Sequence, residues 1–321
     1  MSGHNTSNTQ AFIEAQQYSN FILANLSDGL LPDTMTRDVS DFGNGTTLNI
    51  KTIGSATIQE VFEEQALAYN AIDTGVVTLQ ITDYVGDAWS ISDVLRQDGN
   101  QVEALSAARA KESTRALQEY FETRFLATAN AAQTAANANN VNGFAHRWVA
   151  DDAANNTYKI GLGDFRSMKL SFDKANAPMS GRIAIVDPVV EATLNGLYTA
   201  TWVSNNPRFE GIITEGFARD HKFVANIFGW DIYTSNRLPI STATETIGSE
   251  TAPIGSVANV FMCVDSDQTK PIMRAWRQMP KAEGRRNFEL KRDEFDVTAR
   301  LGLGAQRKDT LGVIITSATN Y

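Results

Sequence analysis

Hydrophobic and polar positions change period several times along the chain, and each change marks an element. Between Thr46 and Ile91 two strand-like runs, Leu48–Ile53 and Val76–Tyr84, alternate in twos, most cleanly at Val77, Leu79 and Ile81. Gln59–Asp73, between them, offers little apolar surface, so the pair reads as a projecting two-stranded arm that is marginally stable without support beneath it. From Asn100 to Asn137 the chain becomes Ala-rich, dotted with Glu and Arg and free of Pro and Gly. This predicts a helix about 55 Å long at about 1.5 Å per residue, comparable to the ~50 Å breadth of a compact chain of this size. Its apolar arc holds Val102, Leu105, Ala116, Leu117, Tyr120 and Phe121, but Arg109, Lys111, Glu112 and Arg115 crowd the middle. Half of its surface therefore seeks water or a neighbouring subunit.

Residues 1–11 are polar, and Phe12, Ala15, Tyr18, Ile22 and Leu26 then fall at helical spacing before a loop through Asp28-Gly29 and Pro32. After the long helix, Ala135–Asn142 ends it and Asp151–Asn156 is a polar loop. Asp164 is expected to cap a helix carrying Phe165, Met168 and Phe172 on one face. Arg182–Val186 reads as a buried strand, Asp187-Pro188 opens a further helix, and Asn195-Gly196 closes it. These belong to an α+β lobe running to about Ser266, with Ser241–Ser256 as an exposed loop. At the end of the chain Phe295, Val297, Ala299 and Leu301 alternate with Glu294, Asp296, Thr298 and Arg300. Gly302 and Gly304 then read as a turn, and Leu311–Thr316 as a second strand of the same closing sheet.

The 321 residues suit two domains, or one elongated unit with an inserted lobe. With 37 acidic against 28 basic side chains the net charge is -9, which argues against nonspecific nucleic-acid affinity of the whole molecule. A single cysteine, Cys263, excludes an intramolecular disulfide, and it lies in the apolar run Val260–Val264, a buried strand. The first 20 residues lack the basic and apolar segments of an export signal, and no apolar run approaches the ~20 residues that span a bilayer. Synthesis in the cytoplasm is the expectation, with no membrane partner.

Candidate chemistry is sparse. His4, His146 and His221 are far apart, none at metal-ligand spacing, and each is expected to be structural. Gly302-Leu303-Gly304 lacks the third glycine and the following helix of a dinucleotide site. No phosphate-binding glycine loop and no glycine-flanked serine elbow occur. Trp89, Trp148, Trp202, Trp230 and Trp276 are spread out rather than interleaved with basic residues, so packing is expected of most of them. No catalytic residue, metal or cofactor is expected.

The order of elements resembles the major capsid proteins of tailed bacteriophages, which share the Hong Kong 97-type fold. The resemblance runs from about Tyr18 to Tyr321. It is carried by Thr46-Thr47-Leu48-Asn49-Ile50, by Gly75–Tyr84 and by Ala116-Leu117-Gln118-Glu119-Tyr120-Phe121. Ile183–Pro188, Asp293–Arg300 and Gly312-Val313-Ile314-Ile315 complete it. The resemblance implies an N-terminal arm (1–45), an extended β-hairpin loop (46–91), a peripheral domain with a long spine helix (92–159) and its C-terminal strands (271–321), and an axial domain (160–270). It implies pentamers and hexamers forming an icosahedral head around double-stranded DNA, a separate scaffolding protein, a portal protein and decoration proteins. Lys51 is the sole lysine of the extended loop, which speaks against lysine-to-asparagine crosslinking there. An encapsulin-type nanocompartment shell is the alternative of a different class, and a soluble enzyme without a recognisable motif is the third.

Charge suggests how subunits meet. Residues 46–93 carry one basic side chain against seven acidic, net -6, and residues 270–292 carry eight basic against two acidic, net +6. The expected inter-subunit contact sets Glu60, Glu63 and Glu64 of one arm against Arg274, Arg277, Arg285 and Arg286 of a neighbour, fixing partner and register more than affinity. The competing use of the basic run is contact with packaged DNA, since clustered Arg and Lys meet phosphates readily.

Overall fold

A computed structural model describes residues 34–41, 45–54, 58–61, 63, 69, 71, 72, 74–98, 102–133, 140–150, 157–198, 223–248 and 250–320. The expected helix over Phe12–Leu26, the loop Asp151–Asn156, Glu64, His4, His221 and Trp202 lie outside the described residues. In chain order the elements begin with β1 (Arg37–Asp38), β2 (Thr47–Ile53), β3 (Thr74–Gln80), β4 (Asp83–Ser92), α1 (Asp93–Asp98) and α2 (Val102–Ala132). Next come β5 (Asn140–Val141), β6 (Phe144–Ala145), β7 (Arg147–Val149), α3 (Leu162–Lys174), β8 (Arg182–Val186) and α4 (Pro188–Tyr198). Then follow β9 (Phe223–Ile227), β10 (Trp230–Thr234), β11 (Glu245–Ile247), β12 (Glu250–Ala252), β13 (Val257–Cys263), β14 (Ile272–Asn287), β15 (Arg292–Ala305) and β16 (Leu311–Thr316).

A six-stranded sheet in the order β7-β16-β13-β8-β10-β9 forms one layer. Every residue of β8, β13 and β16 is buried, as continuous apolar runs require when both faces of a strand are covered. One face takes Phe165, Met168 and Phe172 of α3 and Val190 and Leu194 of α4 against Ala184, Val186, Trp230 and Phe261. The Trp230 ring meets Phe172 edge-on at 4.9 Å and Phe261 at 5.1 Å. The other face takes Phe125, Leu126, Ala129 and Ala132 of α2 against Ile183, Ile185, Val260 and Met262. Alternation within β8 thus feeds two cores from one strand.

A four-stranded sheet, β1-β14-β15-β4, packs Trp276, Val297, Ala299 and Leu301 onto Leu117 and Phe121 of α2. Helix α2 therefore serves two sheets, its earlier turns one and its later turns the other. Leu117 and Phe121 fall where the pattern places them, whereas Ala116 and Tyr120 stay exposed. The Ala-rich end, not counted in the arc, supplies the deepest contacts. Cys263 is buried in β13 as expected, and His146 is buried with its ring stacked on Phe172 at 5.6 Å.

Several expectations are corrected. The second strand of the arm ends at Gln80, and Asp83–Ser92 is a separate strand paired antiparallel with β15, so the projecting part is shorter than 46–91. The reason is a matching alternation: Trp89 stacks on Phe295 at 5.8 Å and Val85 packs with Val297 and Ala299, which pulls β4 into the sheet. Strands β15 and β16 do not share a sheet, and Gly302 and Gly304 lie inside β15 rather than in a turn. A Cβ on Gly302 would sit 2.5 Å from the Gln80 carbonyl oxygen, so the missing side chain lets the arm's base cross the strand. Asp164 is the third residue of α3, not its cap; its carboxylate accepts the Gly161 N–H at 2.8 Å and the Trp148 indole N–H at 3.2 Å. Helix α4 continues through Asn195 and Gly196 to Tyr198, and Ser241–Ser256 folds as the hairpin β11–β12 with Ile247 and Ala252 buried.

Candidate functional site

The surfaces that a subunit presents begin with the β2–β3 hairpin. Its base is anchored by Leu79, buried against Met273 and Ala275 with Leu48, Ile50 and Val77 alongside. Beyond the base the ribbon leaves the body: Ile53, Ile58, Val61, Tyr69, Ile72 and Val76 are all exposed, Ile58 at 95% and Tyr69 at 102% of full exposure. Ile53 and Val76 stand on the two strands and Ile58, Val61, Tyr69 and Ile72 on the connection between them; so many large apolar side chains are unlike a solvated face, where charged and small residues dominate. Glu60 and Glu63 sit among them, exposed.

The basic run 270–292 becomes the long strand β14 and its turn, and most of its charge is answered inside the subunit. Lys270 pairs with Asp267, Lys281 with Glu283, and Arg285 and Arg292 with Glu294. Arg286 clasps Asp93 and Asp293. Arg274 is 8% exposed, with its guanidinium 3.4 Å from Asp38 and 5.8 Å from the Trp276 ring centre, so it is turned inward. Arg285 and Arg277 face outward.

The arm's acid is likewise partly used at home. Asp83 takes Arg124 at 2.7 Å, Asp87 takes Arg109 at 2.7 Å, and Asp93 takes Arg286. The Asn287 amide, then the Arg285 and Arg292 guanidiniums, hold the Glu294 carboxyl down at about 2. The Arg286 hydrogen bonds likewise lower the Asp93 carboxyl. The sequence pattern reads Asp83, Asp87 and Asp93 as one acidic projection; Asp83 and Asp87, four apart, share one face of β4 and both meet arginines of α2, whereas Asp93 opens α1 and meets Arg286 of β14.

Two polar clusters missed from sequence fix α2 to the six-stranded sheet. Glu122, buried, accepts the Ser235 hydroxyl at 2.6 Å and pairs with Arg237 at 2.9 Å, while Glu119 takes the other Arg237 nitrogen at 2.8 Å. Arg147, buried, donates to the Asn130 side-chain oxygen at 2.8 Å and the Gln133 carbonyl at 2.9 Å, and pairs with Glu245. Among the described residues no group of His, Cys, Asp and Glu is arranged to hold a metal ion, and no helix is long and apolar enough to cross a membrane.

The family model described as "Phage capsid protein" matches residues 75–316. A search of curated proteins finds no match. Among solved structures, the capsid of cyanophage P-SCSP1u is 17% identical, with a TM-score of 0.67 over 90% of this chain and 88% of that chain. The capsid of Ralstonia phage GP4 is 11% identical, with a TM-score of 0.63 over 89% of this chain and 87% of that one. A virus-like particle from Pyrococcus furiosus is 11% identical, with a TM-score of 0.52 over 94% of this chain and 99% of that one. At such identities the likeness speaks for a shared fold, and the family match carries the rest. The chain belongs to the phage capsid protein family: it is a tailed-phage major capsid protein with the Hong Kong 97-type fold, the building block of a head shell.

Proposed function

We propose that this subunit closes its shell through pentamers and hexamers, with the β2–β3 hairpin of each copy laid over a neighbour, and that the finished shell holds double-stranded DNA. The observation that carries this reading is the ribbon itself. A hairpin with six large hydrophobic side chains in solvent is costly to maintain in a free subunit, and a neighbour's surface is the natural cover. In this reading 1–45 is the N-terminal arm, the hairpin the extended loop, α2 with β14 and β15 the peripheral domain, and 160–270 the axial domain. The protein is structural rather than catalytic and takes no cofactor. It is made in the host cytoplasm before joining the virion, with scaffolding, portal and decoration proteins as partners.

Charge refines the contact. Among the described members of the expected set, Glu60 and Glu63 at the arm and Arg277 and Arg285 on β14 face outward. A contact through them selects register, and its energy is small, about 0–1 kcal/mol for each exposed pair. Repetition over a closed lattice supplies the rest. The test is electron microscopy and sedimentation of the recombinant chain with and without residues 54–73, each with a co-expressed scaffolding candidate. Shells from the full chain and dispersed, folded subunits from the shortened one support the reading; normal shells from the shortened chain would sink it.

A further inference from the structure

Most cations of the basic run 270–292 are answered inside the subunit, by Asp93, Asp267, Glu283, Asp293 and Glu294, whereas α3 carries three that are not. Arg166, Lys169 and Lys174 form no ion pair with a described acid. They share one side of the helix with Leu170, over about 12 Å from 166 to 174, while Phe165, Met168 and Phe172 on the other side enter the core. Arg166, Leu170 and Lys174 are exposed and Lys169 is half-buried. The Lys174 ammonium lies 5.7 Å from the Phe144 ring centre. Both acids of the helix are engaged: Asp164 accepts the Gly161 and Trp148 N–H groups at 2.8 and 3.2 Å, and Asp173 pairs at 2.7 Å with Arg182, which is 2% exposed. In a chain of net charge -9, α3 thus turns a positive strip outward.

We infer that this strip of α3, Arg166, Lys169 and Lys174, is the surface on which the subunit meets the phosphates of double-stranded DNA; the inference rests on the reading that the finished shell holds DNA. A duplex carries one negative charge per about 1.7 Å of its axis, so three cations over about 12 Å find phosphates in any register, without reading sequence. A protein partner would need a buried apolar anchor, and this side of the helix offers Leu170 alone. Three contacts per copy on an otherwise acidic subunit give a weak, salt-sensitive hold that gains strength from repetition around the interior.

The test is fluorescence anisotropy of a labelled duplex with the full-length, dispersed chain across a salt series. Three phosphate contacts predict a loss of affinity of roughly 40-fold from about 50 to about 200 mM salt. Arg166→Gln, Lys169→Gln and Lys174→Gln together, checked for an unchanged near-UV circular dichroism spectrum, are expected to remove most of that dependence and to lower the affinity about tenfold or more at the low-salt end. The same loss of charge at Lys111, Lys291 and Lys308, exposed cations away from α3, is expected to leave the affinity within about twofold. Equal binding by the α3 variant and the unmodified chain overturns this surface and leaves the DNA reading standing. Absence of duplex binding at the low-salt end overturns both, and binding of polyglutamate in its place, lost in the α3 variant, assigns the strip to an acidic protein segment.

Discussion

Arg147 caps the end of the long helix through Gln133. Its Nη1 lies 2.9 Å from the Gln133 carbonyl oxygen, one of the acceptors that a helix C-terminus leaves without partners, while the Gln133 amide donates to the Lys308 carbonyl at 2.8 Å. The residue that follows α2 is thus tied to β7 on one side and to the entrance of β16 on the other. A 31-residue helix that serves two sheets is fixed at this end by a buried arginine rather than by a glycine cap.

Arg147→Met keeps the volume and removes the charge, leaving Glu245 and the helix carbonyls without their donor. The subunit is expected to lose about 3 kcal/mol in urea unfolding, with part of it recovered when Glu245→Gln is added. Equal stability of Arg147→Met and the unmodified chain would mean that water replaces the guanidinium.

Gly302→Ala places a methyl group against the Gln80 carbonyl oxygen and 2.9 Å from the Ile81 Cα, both backbone and neither free to swing aside. The stem of the hairpin must shift from β15. A cost of about 1–3 kcal/mol is expected, with faster protease cleavage within 54–73 than in the unmodified subunit. Unchanged cleavage and stability would show that the stem moves without penalty.

Trp230→Ala empties the centre of the aromatic cluster formed with Phe172 and Phe261, and should cost about 3–5 kcal/mol. Calorimetry checks this. The loss is expected to fall on the six-stranded layer, with exposed tyrosine fluorescence of the hairpin unchanged.

Glu294 sets an acid limit on the β14–β15 turn. Its carboxyl is held at about 2 against an ordinary 4.5, so the stabilisation is complete above 4.5 and is lost as the pH falls toward 2. Asn287, Arg285 and Arg292 face it from the same hairpin, and Asp93, lowered by Arg286, adds in the same direction. Amide exchange at Glu289 and Leu290 is expected to accelerate across that window relative to its intrinsic rate. Glu294→Gln should flatten part of the change; an identical profile in the variant would assign it to Asp93.

Much of this molecule is written in its local pattern. Ile183–Val186 and Val260–Cys263 are apolar without alternation, which only a strand covered on both faces tolerates, and the Ala-rich stretch without Pro or Gly admits a long helix and little else. The hairpin is legible from alternation at Val77 and Leu79, and the family from the order of these elements. Partner choice is another matter. A period of two says which side chains share a face but not which strand lies alongside, so the sequence left β15 and β16 in one sheet and β4 in the arm. The candidate site shows the same division: net charge along 46–93 and 270–292 is legible from composition. Only the packing of β4 against β15 and α2 decides that Asp83, Asp87 and Asp93 meet arginines of their own subunit, because ion pairing depends on distances of a few ångströms that residues far apart in sequence acquire through tertiary structure alone.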